Sequence, residues 1–153
     1  MIREITVSDD ITAKVLDEYL RDSRQSIREV ARKVGVSSGT VASRLKEMEE
    51  AGIIRRYSAI LDYEKLGYEL TAITEITVSD GKMLEVGETI AKLSQATGVY
   101  NITGDSDLMI VGKFRTRKEL SDFTKKILIL PHVLRTKTHL VLNTLKEDFG
   151  VIP

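Results

Sequence analysis

Residues 34–54, VGVSSGTVASRLKEMEEAGII, place a glycine-broken turn directly in front of a helix that begins with small hydroxyl residues. Gly35 suits the left-handed conformation that ends one helix, and Ser37 suits the N-cap of the next. Apolar residues at i, i+4 and i+7 predict the buried stripe of this second helix: Val41, Leu45 and Met48. A second glycine, Gly52, predicts its end. The stretch therefore indicates a tight turn between two packed helices.

The residues before this stretch predict the helices that pack with it. Ser26 and Glu29 have the spacing of a capping box, in which the serine accepts a first-turn N–H and the glutamate reaches back. The short helix that follows would bury Ile27, Val30, Ala31 and Val34. An earlier helix is indicated by five apolar residues at helical spacing: Ile11, Val15, Leu16, Tyr19 and Leu20. Two short helices joined by a three- to four-residue turn that contains glycine form a helix-turn-helix.

A helix-turn-helix places the N-terminal residues of its second helix at base edges in the DNA major groove. The residues predicted to face the groove are Ser37, Ser38, Thr40, Ser43 and Arg44. The residues predicted mainly to neutralise phosphate are Lys46, Arg55 and Arg56. Residues 23–57 contain eight basic and four acidic side chains, whereas the whole chain has a net charge of zero. Arg44 could contact either a phosphate or a guanine, and the same charges could belong to a solvated helix that never touches DNA.

Composition restricts the class of protein. The chain has 153 residues, enough for one average domain or two small ones. It has no cysteine, which excludes a disulfide framework and a thiolate metal site. No apolar run reaches the roughly 18 residues of a membrane-spanning helix, and the first residues lack the apolar core of a signal peptide. We therefore expect a cytoplasmic protein with no membrane association and no metal or other cofactor.

The pattern changes after the helix-turn-helix. Residues 53–61, IIRRYSAIL, predict a strand, and the segment after it has the polar and glycine signals of a linker. Strand and helix signatures then alternate in the order βαββαβ, which is typical of a ferredoxin-like sandwich. The predicted fold class is therefore α+β. The predicted domains are a winged-helix-like helix-turn-helix over residues 1–60, a linker over residues 61–69, and a ferredoxin-like effector-sensing and oligomerisation domain over residues 70–153.

The predicted sheet is apolar on both faces. Its strands are expected at residues 70–78, 99–103, 107–114 and 133–142. Ile73 alternates with Ala72, and Met109 and Val111 alternate with other apolar residues. An antiparallel sheet with one solvated face would have polar residues there. The simplest explanation is that a second copy of the chain covers this face, and the small size of each half also favours an obligate homodimer.

Four stretches resemble one known family over essentially the whole chain: VGVSSGTVASRLKEMEEAGIIRRYSAILD, KLGY, VYNITGDSDLMIV and LPHVLRTKTHLVLNTLKE. In this order and spacing they are similar to the Lrp/AsnC family, the leucine-responsive or feast/famine transcriptional regulators. The resemblance implies a non-enzymatic regulator that binds double-stranded DNA, and two recognition helices of one dimer would read a roughly palindromic operator. It also implies homodimers paired through their C-terminal sheets, often assembled into tetramers or octamers, with amino-acid effectors bound where dimers meet.

The effector site that the resemblance implies would lie around the sequence GDSD. The candidate residues are Gly104, Asp105, Ser106, Asp107, Thr136 and Thr138. Carboxylates there could hold an α-ammonium group, and glycine-flanked backbone N–H groups could hold an α-carboxylate. The two threonines share one side of the last strand and could supply hydroxyls. The alternative is an ordinary tight turn in which Asp105 bonds its own backbone, with threonines that are simply good strand formers.

Two other functions stay open. Siroheme decarboxylases share this architecture and use histidine and basic residues around a porphyrin, but His132 lies in a predicted turn and His139 alternates with charged residues. The second is an amino-acid-binding or oligomerisation module with weak DNA binding. Gly39, Ala42 and Ser43 favour it because they are smaller than the residues often found in the family at these positions. The basic residues retained nearby argue against it.

Overall fold

The computed structural model describes residues 10–148 of the chain. These residues form two compact units, residues 10–60 together with residues 147 and 148, and residues 61–146. The segment predicted as a linker is thus counted with the second unit. Each unit has its own hydrophobic core. The predicted domain ends at residues 1–9 and 149–153 lie outside the described residues.

The first unit contains three helices: α1 (Asp10–Arg21), α2 (Ile27–Val34) and α3 (Ser38–Glu50). Its core is formed by Val15, Val30, Ala31, Val41, Leu45 and Met48, as the helical stripes predict. Leu20 and Ile27 were also expected to be buried, but they are 44% and 38% exposed. Both lie within two residues of a helix end, where fewer neighbours can cover a side chain.

The turn between α2 and α3 has the geometry that its sequence predicts. Ser26 and Glu29 form a complete capping box, with the Glu29 carboxylate accepting from the Ser26 N–H at 2.8 Å. Gly35 ends α2 with a φ of 81°, which a residue with a Cβ adopts only with strain. Ser37 caps α3 by accepting a hydrogen bond from the Thr40 N–H at 3.0 Å. The helix-turn-helix is therefore confirmed, with residues 35–37 as its turn.

The strand predicted over residues 53–61 is wrong. The structure gives these residues no strand pairing. A strand needs a neighbouring strand to satisfy its N–H and C=O groups, and residues 10–60 contain helices only. The chain instead closes the end of α3, because the N–H groups of Ile53 and Ile54 both donate to the Met48 carbonyl at 2.9 and 3.1 Å. Ile54 then packs against the helical core, while Ile60 is 85% exposed.

The second unit has the predicted βαββαβ order. Its elements are β1 (Leu70–Val78), α4 (Met83–Ala91), β2 (Ala96–Asn101), β3 (Leu108–Phe114), α5 (Arg117–Leu128) and β4 (Val133–Leu140). The strands form one sheet in the order β2-β3-β1-β4, and all neighbouring strands are antiparallel. This confirms the ferredoxin-like prediction and the α+β class. The boundaries differ slightly, because β2 begins three residues before the predicted start.

The two faces of the sheet have different environments. Even-numbered residues of β1 and β3 pack with the helices to form the core of this unit, among them Ala72, Ile76, Leu108, Ile110 and Phe114. Ile73, Met109 and Val111 point to the other face, where they are half-buried. The register of β4 places Lys137 and His139 on this open face as well. The predicted apolar second face is therefore present only in part, because Ile73, Met109 and Val111 share it with charged residues of β1, β3 and β4: Glu75, Lys113 and Lys137.

Residues 61–69 form an ordered turn that contacts β3 and the residue after it. The Lys113 ammonium lies 5.0 Å from the ring centroid of Tyr63, and the Arg115 guanidinium lies 4.4 Å from that of Tyr68. The two rings meet edge to face at 5.5 Å. Arg115 also donates a hydrogen bond to the Leu66 carbonyl at 2.7 Å. Each cation–π contact of this kind contributes on the order of 0.5–2 kcal/mol, depending on how far it is desolvated.

Candidate nucleic-acid interface and ligand site

The first turn of α3 displays three hydroxyl residues of the predicted DNA-contacting set. Ser37 and Ser38 are exposed and Thr40 is half-buried. The Ser37 hydroxyl accepts from the Thr40 N–H and lies 2.9 Å from the Thr40 hydroxyl. The first N–H groups of a helix have no acceptor within the helix and carry partial positive charge. This end of α3 therefore has the chemistry that binds a phosphate oxygen or a base acceptor.

One turn further along α3, two more residues of the predicted DNA-contacting set bind the same carboxylate. The Ser43 hydroxyl donates to Glu47 Oε1 at 2.9 Å, and Arg44 Nη1 donates to Glu47 Oε2 at 3.0 Å. The side chains of Arg44 and Glu47 are 35% and 41% exposed, so water still reaches this pair. The structure therefore brings Ser43 and Arg44 together through an acidic residue that the sequence did not single out.

The remaining basic residues of the predicted interface lie at the C-terminal half of α3 and just after it. Lys46 is exposed and forms a loose ion pair with Glu50 at 3.7 Å. Arg55 and Arg56 are both exposed. All three cations are therefore on the surface, which a phosphate contact requires.

Tyr57 fixes the chain that contains this arginine pair. Its hydroxyl donates to the Glu49 carboxylate of α3 at 2.8 Å, and its ring lies 6.1 Å from the ring of Tyr19 in α1. Partial burial, and then the hydrogen bond to Glu49, raises the pKa of Tyr57 to about 12. The hydroxyl therefore stays protonated and remains a donor at neutral pH. Arg55 and Arg56 are thus bracketed by the packed Ile54 and the bonded Tyr57.

The predicted effector loop joins β2 to β3. Two of its predicted residues are exposed, and the other two are bonded to β1. Gly104 has a φ of 115°, and both it and Asp105 are exposed. Ser106 is only 7% exposed, and its hydroxyl donates to Glu75 Oε2 at 3.0 Å. The Asp107 carboxylate accepts from the backbone N–H of Val78 at 2.7 Å. Of the four predicted effector residues in this loop, Gly104 and Asp105 are therefore on the surface.

Glu75 connects this loop to the last strand. Its second oxygen, Oε1, lies 2.9 Å from His139 Nε2. The bonds from His139 and Ser106, with the positive charge of Lys137, lower the pKa of the Glu75 carboxyl. Glu75, Ser106 and His139 therefore form a polar cluster at the open face of the sheet.

The two threonines of the predicted effector set lie on the opposite side of β4. Thr138 pairs with Thr74 in the β1–β4 register, and their hydroxyl oxygens are 3.1 Å apart. Thr136 pairs with Ile76, whose side chain is in the core beneath the helices. Within one chain the structure does not bring Thr136 and Thr138 together with the Ser106 hydroxyl.

Three residues with a clear part in these arrangements were missed from the sequence: Glu47, Glu75 and Tyr57. A signal existed for Glu47, since residues three and four apart on a helix are neighbours. None existed for Glu75, because its partners lie 31 and 64 residues away in the sequence.

Residues 10–148 contain no cluster of three or more histidine, cysteine or acidic residues that could hold a metal ion. His132 is paired with a single carboxylate: it has a φ of 68°, and its Nδ1 lies 3.0 Å from a carboxylate oxygen of Asp80. The helices in this part of the chain are also too short or too polar to cross a membrane.

Comparison with known proteins agrees with this architecture. Residues 8–55 match the model of a winged helix-turn-helix DNA-binding domain, and residues 71–151 match the model of the Lrp/AsnC ligand-binding domain. An uncharacterized HTH-type transcriptional regulator of Pyrococcus furiosus is 41% identical over 145 residues, which are 95% of this chain and 98% of that protein. The chain belongs to the Lrp/AsnC family. It is a transcriptional regulator with a helix-turn-helix DNA-binding domain and an Lrp/AsnC ligand-binding domain.

Other Lrp/AsnC relatives are similar over nearly their whole length. The HTH-type transcriptional regulator FL11 of Pyrococcus horikoshii is 33% identical over 139 residues, covering 91% of this chain and 92% of that protein. The solved structure of B. subtilis LrpC is 28% identical with a TM-score of 0.82, over 92% of this chain and 98% of that one. E. coli AsnC, at 23% identity and a TM-score of 0.86, shares the fold. Both Pyrococcus relatives are HTH-type transcriptional regulators.

Proposed function

We propose that this Lrp/AsnC regulator acts as a homodimer whose two α3 helices read the half-sites of a roughly palindromic operator. The observation that supports it best is the exposed side of α3, where the first-turn N–H groups, hydroxyls and Arg44 lie together directly after a three-residue turn. Ser37, Ser38, Thr40 and Ser43 would face the groove with Arg44. Half-sites would be spaced about 10 base pairs apart, or a multiple of this, because successive major grooves recur at that distance.

The open face of the sheet supports the homodimer. Ile73, Met109 and Val111 lie on this face, and no helix of the same unit packs against it. We propose that a second copy covers these side chains, and that dimers can assemble further into tetramers or octamers. A regulator of this kind works where the DNA is, so we also propose a cytoplasmic location.

The matched ligand-binding domain supports an effector, which we propose to be an amino acid bound where copies meet. Asp105 and the backbone beside Gly104 are exposed and have the chemistry to hold an ammonium and a carboxylate group. Ser106 and Asp107 would support the loop through their bonds to β1. Thr136 and Thr138 face away from the Ser106 hydroxyl in one chain, so their part in the site requires a neighbouring copy. An effector of this type acts only if it binds one assembly or DNA-bound state better than another.

The DNA-binding proposal is tested by selecting preferred fragments from a random-sequence DNA pool and titrating their affinity against salt. We expect an enriched two-fold symmetric sequence and an affinity that falls steeply with salt, because bound cations displace counterions from phosphates. Replacing Arg55 and Arg56 together by alanine should reduce the salt slope by about two. Replacing Lys125 and Lys126, an exposed basic pair on α5, is the matched control and should leave the slope unchanged. A pool with no enriched sequence would contradict the proposal.

The effector proposal is tested separately by measuring how each of the common amino acids changes DNA affinity and assembly size. At least one should do so, and Asp105→Asn should weaken that response because it removes a charge that can pair with the ammonium group. If no amino acid changes either quantity, the effector proposal is wrong and the DNA-binding proposal is unaffected.

A further inference from the structure

Glu47 holds both residues that lie at the centre of the exposed face of α3. Its carboxylate accepts the Ser43 hydroxyl at one oxygen and the Arg44 guanidinium at the other. The neighbouring carboxylates on the helix have other partners, since Glu49 binds Tyr57 and Glu50 pairs loosely with Lys46. Among these three glutamates, Glu47 is therefore the one bonded to residues proposed to contact DNA bases.

An acidic side chain on a DNA-binding surface has an electrostatic disadvantage, because it repels phosphate. We therefore expect an effect of Glu47, beside Ser43 and Arg44, that offsets this repulsion. An arginine side chain has many rotamers, and fixing one of them costs free energy when it binds. A carboxylate that already holds the guanidinium in one orientation reduces this cost for sequences that match that orientation. It does nothing for sequences that do not match, so the result is better discrimination.

We propose that Glu47 is a positioning residue that sets the sequence discrimination of this regulator by orienting Arg44. The proposal rests on the DNA-binding function proposed above. Glu47 repels the phosphates of any DNA but favours the Arg44 orientation that matching DNA needs, so it raises the ratio of affinities for preferred and unrelated DNA. Its pair with Arg44 is on the surface and three residues apart, so it adds little to stability. Variants at this position are therefore expected to fold.

The test compares Glu47→Gln with Glu50→Gln, since both remove one negative charge from the same helix. Affinities are measured for a fragment selected by the wild-type protein and for an unrelated fragment of the same length. Both variants should bind unrelated DNA more tightly, because each removes one repulsive charge. Only Glu47→Gln should also lower the ratio of the two affinities, by about two- to tenfold, since that is the affinity equivalent of immobilising one rotamer-rich side chain.

A second measurement separates positioning from direct contact. If Glu47 acts through Arg44, the change in ratio caused by Glu47→Gln should disappear in the Arg44→Ala background. If it persists there, Glu47 contacts a base itself, for instance the amino group of cytosine, and the proposal is overturned. An unchanged ratio in Glu47→Gln, or an equal loss in Glu50→Gln, would overturn it as well. A wild-type ratio of one would instead show that the proposed DNA reading is wrong, and the inference would fall with it.

Discussion

Recognition helix α3 and the β2–β3 loop both display candidate binding groups, but they fix their side chains in opposite ways. On α3 the bonds described for the candidate residues join positions three or four apart, such as Ser37 with Thr40 and Arg44 with Glu47. In the loop, Ser106 and Asp107 are held by residues about 30 positions away on β1. The helix surface is thus arranged by local structure, whereas the loop exists in its form only because the sheet is assembled. Loss of tertiary packing should disturb the loop more than the helix surface.

The largest expected effect comes from breaking a long-range bond in the loop. Asp107→Ala leaves the N–H of the buried Val78 without the charged acceptor that it has at 2.7 Å. We expect the free energy of unfolding to fall by about 1.5–3 kcal/mol, the usual loss for a hydrogen bond to a charged group. Urea denaturation at fixed protein concentration measures it. Asp105→Ala changes the same side chain at an exposed position of the same loop, and a loss there as large as at 107 would contradict this reading.

Removing a local bond on α3 should lower the free energy of unfolding by a smaller amount. Ser37→Ala removes the side chain that caps the Thr40 N–H at the start of α3, and N-cap losses are typically about 1 kcal/mol. The melting temperature should fall by a few degrees, in keeping with about 4–8 °C for each kcal/mol in a small domain. Ser38→Ala is the matched control, because that side chain follows the cap and provides no cap bond. Equal melting temperatures for wild type and Ser37→Ala would show that the cap does not stabilise α3.

The same contrast explains which features the sequence could predict. The helix-turn-helix was predictable because a capping box, a left-handed glycine and an N-cap are each complete within a few residues. Strand alternation likewise predicted that Thr136 and Thr138 share one side of β4. It could not predict which side, because this depends on the pairing of β4 with β1, whose sequence is about 60 residues away. The predicted strand over residues 53–61 failed for a related reason, since strand propensity does not supply a partner strand.

The smallest expected effect is a change in the pH dependence of folding stability, and it concerns Glu75. Its carboxyl has a pKa below the ordinary value of 4.5 because His139, Ser106 and Lys137 favour the charged form. A lowered folded-state pKa contributes stability above the unfolded pKa, and this contribution is lost as the pH falls from about 4.5 through the lowered value. We expect the folding stability of Glu75→Gln to depend less on pH than that of the wild type across this acidic range.

Thermal unfolding of both proteins at several acidic pH values measures the difference. Ser106→Ala should remove part of the pH dependence that Glu75 causes, because this substitution deletes one of the two hydrogen-bond partners that lower the pKa of Glu75. Identical pH profiles for wild type and Glu75→Gln would mean that the cluster on the open face does not affect folding stability.

The turn formed by residues 61–69 has a practical consequence for dividing the chain. Lys113 is only 6% exposed, and the Tyr63 ring lies over its ammonium group. A shortened protein that starts at residue 70 would take away that ring, together with the Tyr68 ring and the Leu66 carbonyl that Arg115 contacts. The buried Lys113 would then be exposed to water, and Arg115 would lose both of these contacts. A C-terminal fragment intended for ligand binding or crystallisation should therefore begin at residue 61, although sequence alone suggests starting after the linker.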